Sequence, residues 1–178
     1  TRVLKGQIKL ATTVFPNKIK GNYLDTIARL FLWEVGLDYG HGTGHGVGHY
    51  LNVHEGPMGI HCRLPHLDDP GLQVGMVLSN EPGFYQDGEF GIRLENLVHI
   101  IKAEPEHNFR DRGYLTFEDL TLCPIQQKLI DPTLLTKEEI NYINQYHQKC
   151  LDVVGPLLKE MGQQAGLDWL IKETRPIG

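Results

Sequence analysis

Residues 41–56 read HGTGHGVGHYLNVHEG, and this run constrains the chain more than any other. His41, His45, His49 and His54 fall within fourteen residues, with Gly42, Gly44, Gly46 and Gly48 among them. On a helix, His41, His45 and His49 would stack on one face, but each glycine would cost about 1 kcal/mol there. The run lacks the spacing of GxGxxG, carries no Lys-Ser or Lys-Thr for phosphate and magnesium, and contains no HExxH. What it permits is a backbone that approaches something closely. Residues 50–54 read as extended. A turn-and-surface placement of the histidines is the plain alternative.

Around this run the hydrophobic period changes. Val3, Leu4, Ile8, Leu10, Ala11 and Val14 give a helix over residues 2–14, broken at Phe15-Pro16-Asn17. Leu24, Ile27, Ala28, Leu30, Phe31 and Leu32 give a second helix over 23–35, with Gly36 as its C-terminal cap. Residues 57–72 are rich in turn formers. Residues 76–79 read as a short buried strand ended by Asn80-Glu81-Pro82-Gly83, and 84–88 as a turn. Residues 90–101 read as one long strand, 103–113 as polar loop and 114–123 as a further strand. Helices followed by strands imply an α+β domain with two helices on one face of a sheet. The expected organisation is a domain over 1–124 and a helical extension over 125–178 packed on it. Thr136 and Glu139 form a capping box. The helix it starts is expected to reach about Tyr146, followed by helices over 150–161 and 165–173.

Two carboxylates stand out. On the strand over 90–101, Phe90, Ile92 and Leu94 share one face and Arg93 and Glu95 the other. A carboxylate among such apolar neighbours needs hydrogen bonds, a cation or a metal; an Arg93–Glu95 surface pair is the simpler reading. Glu81 closes a buried strand, where scaffolds present chemistry; a solvent-facing turn is its simpler reading. Imidazole with carboxylates suits manganese, iron, cobalt or zinc. No GxSxG elbow is present. Cys62 lies near His61 and His66, but sequence neighbours do not make a thiol dyad.

Net charge is −5, from 17 basic and 22 acidic residues, and no basic block appears, which argues against nucleic acid. No apolar run reaches membrane-spanning length, and no secretory leader pattern stands at the start. Cys62, Cys123 and Cys150 are odd in number and widely spaced, which favours a reducing compartment. Thr1 is not an initiator methionine and runs directly into a helical pattern, as in a fragment of something longer or a product of processing.

HGTGHGVGHYLNVHEGP followed by SNEPGFYQDGEFGIRLEN resembles the catalytic half of the aminopeptidase P (Xaa-Pro aminopeptidase) family, in its eukaryotic cytosolic form. The likeness continues through LTFEDLTLCPIQQKLID into the tail. It implies a partial pita-bread domain, the fold shared with methionine aminopeptidase, prolidase and creatinase. It implies release of the N-terminal residue from peptides with proline second, in the cytoplasm, by a homodimer that binds neither nucleic acid nor membrane. The implied cofactor is a pair of divalent metals, manganese first, with zinc or cobalt as substitutes. By resemblance, His45, Glu81 and Glu95 are metal ligands, and Glu81 is also the proton shuttle. His54 stabilises the reacting carbonyl, His41 lines the proline side and Arg93 sits beside the metals. His49 matches no such role. The family's two aspartate ligands precede the residue matching Thr1, so this chain by itself is expected to be incomplete and inactive. A prolidase-like dipeptidase and a non-catalytic pita-bread binding module are the alternatives.

Overall fold

The structure, a computed structural model, describes residues 1–178. They form two compact units, Arg2–Thr121 and Leu122–Gly178, the second including Thr1.

In the first unit, α1 (Arg2–Ala11) buries Val3, Leu4, Ile8 and Leu10, and α2 (Asn22–Trp33) buries Leu24, Ala28 and Leu32. The end of α2 is a Schellman turn. The Leu37 N–H reaches the Leu32 carbonyl and the Gly36 N–H reaches the Trp33 carbonyl, both at 3.0 Å. Gly36 takes the left-handed φ of 75° that this turn requires. The first helix stops at Ala11, short of residue 14, because Phe15-Pro16 is not merely a breaker. It forms β1 (Phe15–Pro16) and pairs with β8 (Tyr114–Asp119).

The main sheet is antiparallel in the order β1-β8-β7-β4, with β4 spanning Val77–Asn80 and β7 spanning Asn96–Ala103. Alternation turns Leu78, Val98, Ile100, Leu115 and Phe117 to one face, where they share a core with Leu10, Leu24 and Ala28 from the helices. The central strand is therefore β7, as its apolar run implied. The long strand expected over 90–101 is broken, however. β6 (Phe90–Arg93) pairs with β5 (Gly83–Gln86) in a separate hairpin, and β7 begins only at Asn96. Residues 84–86, expected in a turn, belong to β5.

β2 (Gly44–His45) pairs with β3 (Gly59–Ile60), and the segment around β2 also lies along the free edge of β4. Gly46 bridges Leu78, the Val47 N–H reaches the Val77 carbonyl at 2.9 Å, and the Glu81 N–H reaches the Thr43 carbonyl at 2.8 Å. This pairing curls the sheet over. It also explains the glycine at position 44, where a Cβ would overlap the carbonyl oxygen of Ser79.

In the second unit the capping box forms as expected, with the Thr136 hydroxyl and the Glu139 carboxylate each accepting the other residue's N–H. The helix expected to end near Tyr146 and the one expected over 150–161 are one, α3 (Lys137–Glu160), 24 residues long and running through Pro156. The buried stripe Ile143, Tyr146, His147, Cys150 and Gly155 crosses the break expected after Tyr146, and the helix also carries the cost of about 3 kcal/mol of an interior proline. α4 (Gln164–Glu173) follows and adds Leu170 to that core. No helix is long and apolar enough to cross a membrane.

Candidate metal centre

Strand pairing brings the two carboxylates together. β4 and β7 are paired up to Asn80 opposite Asn96, and β5 and β6 are paired from Gly83 opposite Arg93. The dipeptides Glu81-Pro82 and Leu94-Glu95 therefore face each other where the hairpin leaves the sheet. The segment on the other side of β4 adds His45. One ligand atom from each of His45, Glu81 and Glu95 lies within 4.8 Å of the others. Glu95 is exposed and stands in a strand break, which corrects the expectation of a carboxylate embedded among apolar neighbours. In place of the simpler Arg93–Glu95 pair, Arg93 NH1 lies 3.7 Å from Glu81 Oε2.

The hydrogen-bonding state of His45 tests whether this set suits a metal. Its Nδ1 lies 2.9 Å from the Gly46 carbonyl, an acceptor, so Nδ1 carries the proton. Nε2 is left 3.2 Å from Glu81 Oε1, and in the neutral ring it carries a lone pair. A lone pair and a carboxylate oxygen that converge in this way suit a cation held between them. One imidazole lone pair and two carboxylates form an N/O donor set for a borderline or hard divalent ion.

His41 is held by a directional chain. Its Nδ1–H donates to the Gly42 carbonyl at 2.8 Å, leaving Nε2 to accept from the Tyr85 hydroxyl at 2.8 Å. That oxygen in turn accepts from Arg93 Nε at 2.9 Å. The hydrogen bond to Tyr85 raises the Arg93 pKa above its ordinary value, with the charges of Glu81 and Glu95 adding to it. Arg93 and His41 thus touch the same tyrosine, which sequence reasoning passed over.

The expected extension of residues 50–54 is overturned. Tyr50 and Leu51 take left-handed backbone, with φ of 51° and 64°. The Glu55 N–H returns to the Gly46 carbonyl at 2.9 Å and the Gly48 N–H to the Asn52 carbonyl at 2.9 Å. The ladder between β2 and β3 forces this reversal. It leaves the His54 ring 4.2 Å, centroid to centroid, from His45 rather than carried past it. His49 packs edge-on against Tyr50 in the same loop, away from the carboxylates' partners.

Several of these groups line a cavity of about 400 Å³. His41, His45, His54, Glu81 and Arg93 all contribute to its wall, as do His61 and Arg63, which the sequence reading did not single out.

Beneath the cavity lies a buried ion pair that was also missed. Arg29 contacts Asp25 through Nε at 2.7 Å and NH2 at 3.1 Å. It also donates to the carbonyls of Tyr39 and His41, each at 2.7 Å. Asp25 accepts from the Thr43 hydroxyl at 2.7 Å. Burial works against the Arg29 charge, but the bonds to Asp25 and Asp38 outweigh it and hold its pKa above the ordinary value. Burial also pushes the Tyr39 hydroxyl up to about 12. The signal was available: Asp25 and Arg29 are four apart and border the apolar stripe of α2.

Residues 113–177 match the C-terminal region of peptidase M24. The chain is 59% identical over 177 residues to the Xaa-Pro aminopeptidase ApepP of Drosophila melanogaster, covering 99% of this chain and 29% of that protein. It is 51% identical to Aminopeptidase P1 of Lotus japonicus, covering all of this chain and 26% of that one. Among solved structures, the X-prolyl aminopeptidase of Caenorhabditis elegans, described as a cytosolic enzyme with a di-nuclear active site, superposes with a TM-score of 0.92. Its identity is 48%, over 99% of this chain and 28% of that one. The X-Pro aminopeptidase of Thermotoga maritima is 36% identical over 69% of this chain and 30% of its own length, with a TM-score of 0.52. This chain thus spans about three-tenths of the length of the curated relatives it matches. The curled sheet backed by two helices is the pita-bread fold that the sequence resemblance implied. With residues 1–102, over half the chain, matching metallopeptidase family M24, the chain belongs to that family.

Proposed function

We propose that this chain supplies part of the metal site and the proton-handling residues of a cytoplasmic, homodimeric Xaa-Pro aminopeptidase that acts on peptides with proline in second position. The observation that carries this reading is the convergence of His45 Nε2, Glu81 and Glu95, with His45 Nδ1 already committed to Gly46. In this reading His45, Glu81 and Glu95 hold two divalent ions, manganese in first place. Bound there, the ions supply a water of lowered pKa and polarise the scissile carbonyl. The Glu81 carboxylate takes the proton of the attacking water and passes it to the prolyl nitrogen, which has no hydrogen in the peptide and leaves poorly without one. His54 donates a hydrogen bond to the oxygen that gains charge. His41, held by Tyr85 and Gly42, lines the proline side. Arg93 steadies the Glu81 carboxylate.

Three protein donors under-coordinate two ions, so the 178-residue chain by itself should bind manganese weakly and turn over slowly. Titration of the chain with Mn2+, alongside Glu95→Ala, tests the site. Wild type should take up the ion and the variant should lose it; two tightly bound ions per Glu95→Ala chain would refute Glu95 as a ligand. Hydrolysis of an Xaa-Pro peptide by the purified chain at the rate of a full-length relative would refute the need for further donors.

A further inference from the structure

We infer that Ser79 is a positioning residue: one buried hydroxyl that fixes the backbone of His45 and the carboxylate of Glu81 relative to each other. The inference rests on the metallopeptidase reading of that cluster and goes beyond its ligands.

Ser79 lies on β4, two residues before Glu81, and is fully buried. Its oxygen accepts the His45 N–H at 2.9 Å. Its single proton goes to Glu81 Oε1 at 3.0 Å. A serine hydroxyl has one proton and two lone pairs, and no water competes at a site with no exposure. The hydroxyl therefore ties the backbone of one strand segment to the carboxylate of its neighbour. The Glu81 N–H is already held by the Thr43 carbonyl at 2.8 Å, so both ends of this glutamate are fixed from the same two segments.

The consequence is a choice between the two carboxylate oxygens. Oε1, bonded to Ser79, is kept 3.2 Å from His45 Nε2, and Oε2 is left 3.7 Å from Arg93 NH1. Without the Ser79 proton, the remaining partner of the carboxylate is Arg93, whose side chain is 45% exposed. The three torsions of the glutamate then regain freedom, and the carboxylate swings toward the guanidinium and away from His45. The site keeps all its ligands yet loses the separation at which they meet.

The test uses the purified chain with Mn2+ as the probe, and has two readouts. Free Mn2+ followed by EPR gives the dissociation constant, and a crystal structure of the metal-free variant gives the Glu81 Oε1 to His45 Nε2 distance. Ser79→Ala should weaken Mn2+ about 10- to 100-fold and let Oε1 leave hydrogen-bond range of Nε2. Ser79→Thr, which keeps the hydroxyl, should recover most of the affinity. Should Ser79→Ala fail to fold, Ser79→Cys keeps the volume with a weak donor and should show the same loss in both readouts. A folded Ser79→Ala or Ser79→Cys with wild-type Mn2+ affinity and an unmoved Glu81 would overturn the proposal, leaving Ser79 a structural residue whose loss lowers only the melting temperature. If wild type takes up no Mn2+, the reading of these three residues as a site that binds metal in this chain fails, and the crystal distance alone decides the role of Ser79.

Discussion

Removing Arg29 should cost more stability than removing any other single charged side chain of the first unit. The side chains of Arg29 and Asp25 are 4% and 2% exposed. Arg29→Ala strips Asp25 of both guanidinium contacts and leaves a carboxylate buried with only the Thr43 hydroxyl and N–H as partners. Breaking a buried pair from one side costs about 3–5 kcal/mol, a large share of the roughly 5–15 kcal/mol that holds a domain together. The carbonyls of Tyr39 and His41 lose their donor as well, and the ring of Tyr39 loses the guanidinium that sits 3.9 Å from its centroid. Urea unfolding followed by Trp33 fluorescence, in a Trp169→Phe background so that only the first unit reports, measures this directly. With a slope of about 2 kcal/mol/M the midpoint should fall by about 1.5–2.5 M. Arg29→Lys keeps the charge but not the two-pronged contact, and should fall between. A midpoint shift below about 0.5 M at unchanged slope would refute the argument, and would mean that the loop over residues 39–43 is held by its own backbone.

Three further outcomes follow from separate features. Gly44→Ala places a methyl on the Ser79 carbonyl; it should cost about 1–3 kcal/mol and weaken Mn2+ binding as the segment lifts off β4, and a variant with wild-type stability and affinity would rule out that close contact. In a catalytically competent enzyme, His54→Ala should keep its metals and lose about a hundredfold or more in kcat; an unchanged kcat per folded molecule would reject His54 as a donor to the oxyanion. Burial lowers the His147 pKa below its ordinary value, against the nearby charge of Glu173, and the Ile125 N–H donates to its Nε2 at 3.0 Å, which needs the neutral ring. The unfolded chain therefore binds this proton first, so the second unit should be fully stable above about pH 6.5 and weaken as pH falls below it; thermal unfolding followed by Trp169 checks this, and His147→Gln should flatten the slope.

The parts of the fold set by local pattern were legible. The two helices, the capping box at Thr136 and the central position of β7 follow from periodicity and end chemistry within a dozen residues. What was not legible depends on partners far along the chain. Alternation holds from Phe90 to Glu95 and shifts phase at Asn96-Leu97, a mark too slight to separate a break from a continuing strand; the break exists because residues before it pair with β5 and residues after it pair with β4. Tyr50 and Leu51 carry no glycine or asparagine to announce a left-handed turn, so the return of His54 to His45 was hidden. The break expected between Tyr146 and Cys150 was a local reading in the other direction, and the continuous buried stripe of α3 runs through it. Of the site, His45, Glu81 and Glu95 were named from sequence and meet in space. Ser79 and Tyr85 were not named, because a lone serine on a buried strand and a tyrosine in a hairpin carry no motif of their own.

Each donor of the cluster sits where the chain exchanges one pairing partner for another. His45 lies between β3 and β4, Glu81 at the passage from β4 to β5, and Glu95 at the passage from β6 to β7. At such points the backbone is tied on both sides by ladders but the side chain is no longer committed to a packed face. That combination gives positional accuracy without burying the charge in apolar surroundings, which a carboxylate inside a continuous strand could not escape. It also makes the site sensitive to register. A one-residue slip between β4 and β7 would turn every side chain of the slipped strand to the other face and draw Glu81 and Glu95 out of opposition. Asn80 and Asn96, the last pair before the exchange, guard against that slip: the Asn80 amide donates to the Gln7 carbonyl of α1 and the Asn96 amide to Asp119 of β8, each at 3.0 Å. The register that aligns the carboxylates is thus fastened from the helix layer on one strand and from the neighbouring strand on the other.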